Sequence, residues 1–251
     1  MGPYSGDYDR NRGGKNSLIS ASNLLLIIFT STVAFCIVYL SPDLHFGTTS
    51  LVYKPLWTIK TLSFTWAGFQ FVLFTLVKLR SPGKGNDISN ACGLIHKARK
   101  SLLMELRNLI LLFLLYAASC IAFHVISILF GAYIFENFEE TFLFSVLVST
   151  LVSLPCLLVN ELDYEAWNRF ISGCCLPGVE SYVMTVACCS LLGAWVGAVP
   201  IPLDWDRPWQ VWPISCSIGV VIGHGTGLLL CTAHAGFNVL QQFRRGKSKL
   251  F

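Results

Sequence analysis

Apolar residues fall into six long runs along the chain, and polar or turn-forming clusters separate them. The runs are Leu18–Leu40, Leu62–Leu79, Leu109–Ile134, Thr141–Val159, Tyr182–Val199 and Ile214–Cys231. Each is about as long as a helix needs to cross the hydrocarbon layer of a bilayer, roughly 20 residues. A lipid-exposed segment must satisfy its own backbone N–H and C=O groups, so runs of this length read as helices. The pattern predicts an all-α, polytopic membrane helix bundle of about six transmembrane helices. Leu18–Leu40 exceeds a secretory apolar core of roughly 7–15 residues and lacks a small-residue cleavage pattern, so it reads as a retained anchor. Pro155 is expected to bend the fourth span.

The connections differ in character. Residues 1–17 are rich in Gly, Ser, Asn and Arg and read as a disordered tail. A breaker cluster follows the second span at 81–87. Leu94–Asn108 then mixes Leu94, Ile95, Leu102, Leu103 and Leu106 with Lys97, Arg99, Lys100 and Arg107. This fits either a basic amphipathic helix on a membrane surface or a solvated extension of the third span. Phe135–Glu140 is a short acidic turn, and residues 160–181 are polar and mixed. The chain divides into a tail at 1–17, a transmembrane domain at 18–235 carrying the basic segment 80–108, and a basic tail at 236–251.

Charge orients this arrangement. Of the 251 residues 54% are hydrophobic and 13% charged, about half the charged share of a soluble domain. Six spans put both ends of the chain on one side. Fifteen of the 18 Lys and Arg residues then share that side, leaving Lys54, Lys60 and Arg207 opposite. Positive residues accumulate on the cytosolic face, so both termini are expected there. The ten cysteines lack zinc spacing and mostly lie in or beside apolar runs, where they act as small hydrophobes. Cys174 and Cys175 read as free thiols, with acylation near a membrane surface as the alternative.

One connection stands out by composition. Gly193–Pro213 holds four of the seven tryptophans (Trp195, Trp205, Trp209, Trp212) and four of the ten prolines (Pro200, Pro202, Pro208, Pro213). Trp rings settle at membrane–water boundaries, so the stretch reads as a stiff turn between the last two spans on the luminal side. Cys189, Gly193 and Gly197 recur every four residues before it, and Ser215, Gly219, Gly223 and Gly227 after it. Small residues at this spacing let backbones approach in lipid. Either the two stripes pack on each other or one receives a helix of another protein.

Candidate chemistry is sparse. There is no phosphate-cradling glycine loop, metalloprotease helix or nucleophile elbow. His124, His224 and His234 lie in apolar surroundings, where interhelical hydrogen bonding is the plain reading and a functional role the sharper one. Asp204 and Asp206 invite a divalent metal, but Arg207 beside them can neutralise one, and Asp206 before Pro208 suits a helix cap. Glu140 lies with Glu136 and Glu139 at the start of the fourth span, where negative charge favours the helix dipole. Ser41–Lys60 is the longest connection on the luminal side, too short for a catalytic domain of about 50 residues or more. No metal, cofactor or nucleic-acid partner is expected.

The Trp/Pro connection, continuing as Ile214-Ser215-Cys216, resembles the signature of the Pig-F family of glycosylphosphatidylinositol (GPI) anchor biosynthesis. Phe123-His124-Val125, Gly131, Glu140–Phe144, Ser149-Thr150 and Pro155-Cys156 fit the same family. The similarity is dense from Phe123 to Gly219, apart from residues 160–181. The resemblance implies a multi-pass endoplasmic reticulum protein without catalytic activity of its own. It would bind and stabilise large ethanolamine phosphate transferases, whose luminal domains add phosphoethanolamine to mannoses of the GPI precursor. Lys247-Ser-Lys249-Leu-Phe resembles a cytosolic retrieval signal. The expected partner surface comprises Gly193, Trp195, Gly197, Pro200, Pro202, Asp204, Trp205, Arg207, Pro208, Trp209, Trp212, Pro213, Gly219 and Gly223. His124, Glu140 and His224 are the candidate polar contacts inside the membrane. The rival expectation is a lipid-handling or flippase-like protein that supplies phosphatidylethanolamine or presents the GPI precursor. An intramembrane phosphotransferase using Asp204 and Asp206 ranks last.

Overall fold

The computed structural model describes residues 54–80, 91–176, 178–203 and 205–247. Among them the chain is helical, with no strand: α1 Pro55–Arg80, α2 Ala91–Leu129, α3 Phe138–Leu151, α4 Ser153–Asn160, α5 Tyr164–Ile171, α6 Val179–Ala198 and α7 Ile214–Lys247. A 3₁₀ turn at Pro208–Gln210 interrupts the α6–α7 connection. The expected tail 1–17, the first span Leu18–Leu40, the breaker cluster 81–87, Asp204 and the last residues of the chain lie outside the described residues.

Four helical stretches are long and apolar enough to cross a membrane: Leu103–Leu129, Phe138–Asn160, Val179–Ala198 and Ile214–Asn238. They carry the expected third to sixth spans. The expected second span, Leu62–Leu79, falls within α1, a 26-residue helix outside those four. The third span is shorter at its end than the pattern suggested. Gly131 adopts φ +105°, which a helix cannot continue through, and α2 stops at Leu129. At its other end α2 runs unbroken through the basic segment. Its 39 residues make a rod of about 58 Å, longer than a hydrocarbon layer of about 30 Å. The basic stretch is therefore a helical extension of the span.

The fourth span is broken where proline dictates. Pro155 has no N–H for the carbonyl of Leu151 four residues back, and the helix divides there into α3 and α4 around Val152. Val152 still donates its own N–H to the Val148 carbonyl at 2.8 Å. Residues 160–181 contain a helical turn pair of their own. Asp163 caps α5 by accepting the Glu165 N–H at 3.0 Å, and the Trp167 indole donates to the Glu161 carbonyl at 3.0 Å.

The core lies between α1, α3, α6 and α7. Ile59, Leu62 and Trp66 meet Phe144, Leu147 and Leu151, with Val186, Ala187, Val220 and Val221 completing the cluster. In the span Phe138–Asn160 61% of the most apolar window is buried, against 6% in Leu103–Leu129. The broken helix is thus central, and the Leu103–Leu129 part of α2 is peripheral, with most of its surface turned outward.

The closest approach is between α6 and α7. A Cβ built on Gly193 would lie 2.9 Å from the Gly223 Cα, and one on Gly219 would lie 2.9 Å from the Gly197 Cα. On Gly227 it would lie 2.8 Å from the Val186 Cα. Real side chains do not sit that close to backbone, so these positions require glycine. The Ser215 hydroxyl donates to the Gly197 carbonyl across the same seam. The two small-residue stripes pack on each other, and the seam has no room for a helix of another protein. Gly193, Gly197, Gly219 and Gly223 are therefore internal contacts, which corrects their assignment to a partner surface. Gly223→Ala is expected to destabilise the chain by about 1–3 kcal/mol through overpacking. Gly236→Ala, where a Cβ meets nothing within 4 Å, should be neutral or slightly stabilising. Thermal unfolding of the two variants in detergent checks the contrast.

Candidate functional site

The α6–α7 connection runs over residues 199–213, and its own hydrogen bonds hold it. Ile201 N–H donates to the Ala198 carbonyl at 3.1 Å and Leu203 N–H to the Pro200 carbonyl at 3.0 Å, which folds the chain back after α6. Asp206 then reverses it with φ +47°, a conformation that Asp and Asn tolerate better than most residues. Pro208, with φ preset by its ring, opens the 3₁₀ turn.

Gln210 is the residue that ties these turns together. It is buried, and its Nε2 donates to the carbonyls of Pro200, Ile201 and Leu203. Its Oε1 accepts the Arg207 N–H at 3.5 Å, as a third-position Gln does in a capping box. The cap expected of Asp206 is therefore absent. Arg207 occupies the cap position, without a side-chain cap bond, and both residues are exposed. The single Gln in a Trp/Pro-rich stretch gave no sequence signal by type. Its place three residues after Arg207, at the end of a proline-opened turn, was the available clue.

The tryptophans divide into an inner and an outer set. Trp212 turns inward, its Nε1 donating to the Thr141 hydroxyl at 3.0 Å and its ring meeting Phe144 edge-on at 5.1 Å. This docks the connection on the first turns of α3. Pro213, joined to Trp212 by a cis peptide bond, is fully buried. Trp205 and Trp209 meet edge-to-face at 6.2 Å. Trp205 and Trp195 are exposed, as are Pro202 and Pro208, whereas Trp209 and Pro200 are half-buried. Thr141 was not singled out by the sequence pattern, because a lone Thr at a span boundary is common.

The three candidate intramembrane polar residues are not gathered into one site. His224 is buried in the bundle, with Nδ1 3.1 Å from the Ser190 hydroxyl and its ring edge-on to Trp66 at 5.7 Å. A backbone hydrogen bond joins the same ring to Leu151. Leu151 is the residue whose carbonyl Pro155 leaves without its helical donor, so the imidazole supplies the N–H that proline lacks. His124 is half-buried on α2, its ring 4.9 Å from Phe138 and 5.9 Å from Phe142, and its Nδ1 has no hydrogen-bond partner. Glu140 is half-buried in the first turn of α3, where a negative charge offsets the helix dipole. Among the described residues no group of three His, Cys, Asp or Glu side chains is placed to hold a metal.

The other end of the bundle is stapled by charge. Arg169 Nη2 meets Glu180 Oε1 at 2.8 Å, and Glu180 Oε2 accepts the Leu176 N–H at 3.1 Å. The Glu180 carboxylate holds the Arg169 guanidinium above its ordinary value. Cys174 is exposed and Cys175 half-buried, both as free thiols. Burial, and then the neighbouring Glu180 charge, push the Cys175 thiol up, away from the thiolate.

A bundle of membrane-length helices, sealed by a glycine seam and closed by a hydrogen-bonded Trp/Pro turn, defines a polytopic membrane protein. Its sequence places it more narrowly. Residues 32–232, about four fifths of the chain, match the GPI biosynthesis protein family Pig-F, and the chain belongs to that family. It is 45% identical over 116 residues to the human protein named GPI ethanolamine phosphate transferase, stabilizing subunit. That match covers 46% of this chain and 53% of the human one. It is 38% identical over 102 residues to glycosylphosphatidylinositol anchor biosynthesis protein 11 of Yarrowia lipolytica, covering 41% and 44%. To the protein of the same name from Aspergillus fumigatus it is 37% identical over 150 residues, covering 60% and 47%. The chain thus spans about half the length of the curated relatives it matches. No solved structure matches it.

Three substitutions test the site as built. Gln210→Leu removes the side-chain donor shared by three carbonyls, of which Pro200 and Leu203 keep a backbone N–H, and should cost about 1–3 kcal/mol, with faster proteolysis at the connection. His224→Leu should cost a similar amount, about 1–3 kcal/mol, because it removes the Leu151 carbonyl's donor and one of the two hydrogen bonds of the Ser190 hydroxyl. His124→Leu should change stability little, because its buried nitrogen has no partner to lose. Unfolding midpoints of the three variants against the parent chain check the order.

Proposed function

We propose that the chain is a non-catalytic endoplasmic reticulum membrane subunit that binds and stabilises GPI ethanolamine phosphate transferases. It would thereby support addition of phosphoethanolamine to mannoses of the GPI precursor. The observation that carries this reading is the 45% identity to the human stabilizing subunit. In the proposed topology six spans, with Leu18–Leu40 and Leu62–Leu79 as the first two, leave both termini cytosolic. The distribution of Lys and Arg supports that orientation.

Within this reading the Trp/Pro connection faces the lumen and meets the transferase or the lipid held beside it. Its exposed rim, Trp195, Pro202, Trp205, Arg207 and Pro208, makes the contact, together with the half-buried Pro200 and Trp209. Asp204 belongs to the same rim by sequence. The glycines, Trp212 and Pro213 act indirectly, by fixing the height and angle at which the rim is presented. The shape is held from within by Gln210, so exposed rings can be spent on a partner without loosening the turn.

Removing the protein from cells tests the proposal. The amount of each ethanolamine phosphate transferase and the GPI intermediates are measured together. Loss of a transferase with build-up of precursors lacking phosphoethanolamine is the expected outcome. Normal transferase levels with the same build-up would instead support a lipid-supplying or acceptor-presenting role. Trp205→Ala, on the exposed rim, should lower transferase abundance while leaving the level of this chain unchanged.

A further inference from the structure

The buried hydroxyls of Ser63, Ser145, Ser190 and Ser217 each donate to the carbonyl four residues back in their own helix. The Cys156 thiol does the same, donating to the Val152 carbonyl at 3.0 Å. Asn160 behaves differently. It is the last residue of α4 and only 3% exposed. Its backbone carbonyl accepts the Asp163 N–H at 3.1 Å. Its carboxamide is left over: Nδ2 and Oδ1 are both buried, and neither has a hydrogen-bond partner. The site is enclosed by protein. α4 packs against α6 and α2, and the Trp167 indole, bonded to the Glu161 carbonyl at 3.0 Å, holds α5 close to the same end of α4.

A buried amide that bonds to nothing forfeits the hydrogen bonds it made to water before folding. Exchanging its O and N does not recover them, because both ends lack a partner. Leu157 and Leu158 beside it are buried at no such cost. The amide therefore points to a ligand, and its chemistry narrows the class. An anion would serve only the Nδ2 hydrogens, and a cation only Oδ1. A lipid headgroup is too large for a side chain enclosed to this degree. A water molecule both donates and accepts, and it is small enough to be enclosed. We infer that Asn160 holds a buried water at the end of α4, bound through both ends of the carboxamide.

A buried water makes about three hydrogen bonds, so it needs a partner beyond the amide. Cys156 is the group in place to supply it. It stands four residues before Asn160, on the same face of α4, and is itself buried at 4% exposure. Helical side chains lean toward the N-terminus, which carries the Asn160 side chain toward the turn that holds Cys156. The thiol hydrogen is spent on Val152, which leaves the sulfur as a weak acceptor for the water's second proton. The water joins two successive turns of the short helix that follows the Pro155 break. This inference concerns the interior of the bundle and does not depend on the proposed transferase partner.

Radiolytic footprinting of the purified full chain in lipid nanodiscs tests it. Brief X-ray exposure ionises water where it sits, and the hydroxyl radicals formed oxidise side chains in contact with it, sulfur fastest. Oxidation of each cysteine is read by mass spectrometry of peptides. Cys216, buried at 2% exposure on α7, is the internal reference. Cys156 should be oxidised several-fold faster than Cys216 although both are buried. In Asn160→Leu the Cys156 rate should fall to that of Cys216. Asn160→Val carries the same expectation and takes its place if the leucine variant fails to accumulate. Equal rates at Cys156 and Cys216 in the parent chain, a comparison that needs no variant, would overturn the inference. So would a fast Cys156 rate that survives replacement of Asn160, since the water would then be held by other groups.

Discussion

Backbone meets backbone along the α6–α7 seam, and much of the molecule depends on that approach. Lipid tails are as apolar as leucine, so burying apolar surface gives helices in a bilayer little reason to associate. What remains is close contact and hydrogen bonding. Gly193, Gly197, Gly219, Gly223 and Gly227 remove the side chains that would hold α6 and α7 apart. The short separation lets the Ser215 hydroxyl reach the Gly197 carbonyl and sets how far the connecting turn must travel. A turn of this kind, with four prolines among residues 199–213, suits helices that are already close.

Above the seam the connection is held by polar side chains. Gln210 serves the carbonyls of Pro200, Ile201 and Leu203, and Trp212 reaches Thr141 on α3. Below it, His224 answers the carbonyl freed by Pro155 and meets Ser190 on α6. Breaks in helical hydrogen bonding are tolerated in such a bundle only where a neighbouring side chain makes them good. The break at Pro155 is matched by His224 from another element, which links the position of α7 to the bend in the α3–α4 span.

The same logic separates structural polarity from chemistry. The buried imidazole of His224, one of three histidines the sequence places in apolar surroundings, is occupied by the bundle itself. The acidic residue Asp206 and its neighbour Arg207 are exposed on a turn whose shape comes from Gln210. Much of what is left outward is apolar and aromatic: Trp195 and Trp205 by the connection, the Leu103–Leu129 part of α2 and the outer face of α1. Such surfaces suit contact with helices and lipid, in keeping with a family whose human member is named a stabilizing subunit.

Sequence alone determined the class of fold and the family. Runs of about 20 apolar residues have few ways to satisfy their backbones in a bilayer, and the Trp/Pro connection is specific enough in residue order to mark the family. It also located the proline bend and the two small-residue stripes. Tertiary structure decided which partner each feature has. Periodicity shows that a stripe is small but not what it faces, and the glycines of α6 and α7 proved to face each other. It shows that His224 is buried in apolar surroundings but not that Pro155, on another helix, leaves the carbonyl it meets. Gln210 and Thr141 lie in stretches that fit the family, but their individual roles carried no signal, because their importance lies in carbonyls and an indole brought near by the fold. Helices are local and follow from the order of residues, whereas these pairings join positions far apart in the chain and exist only once the bundle has closed.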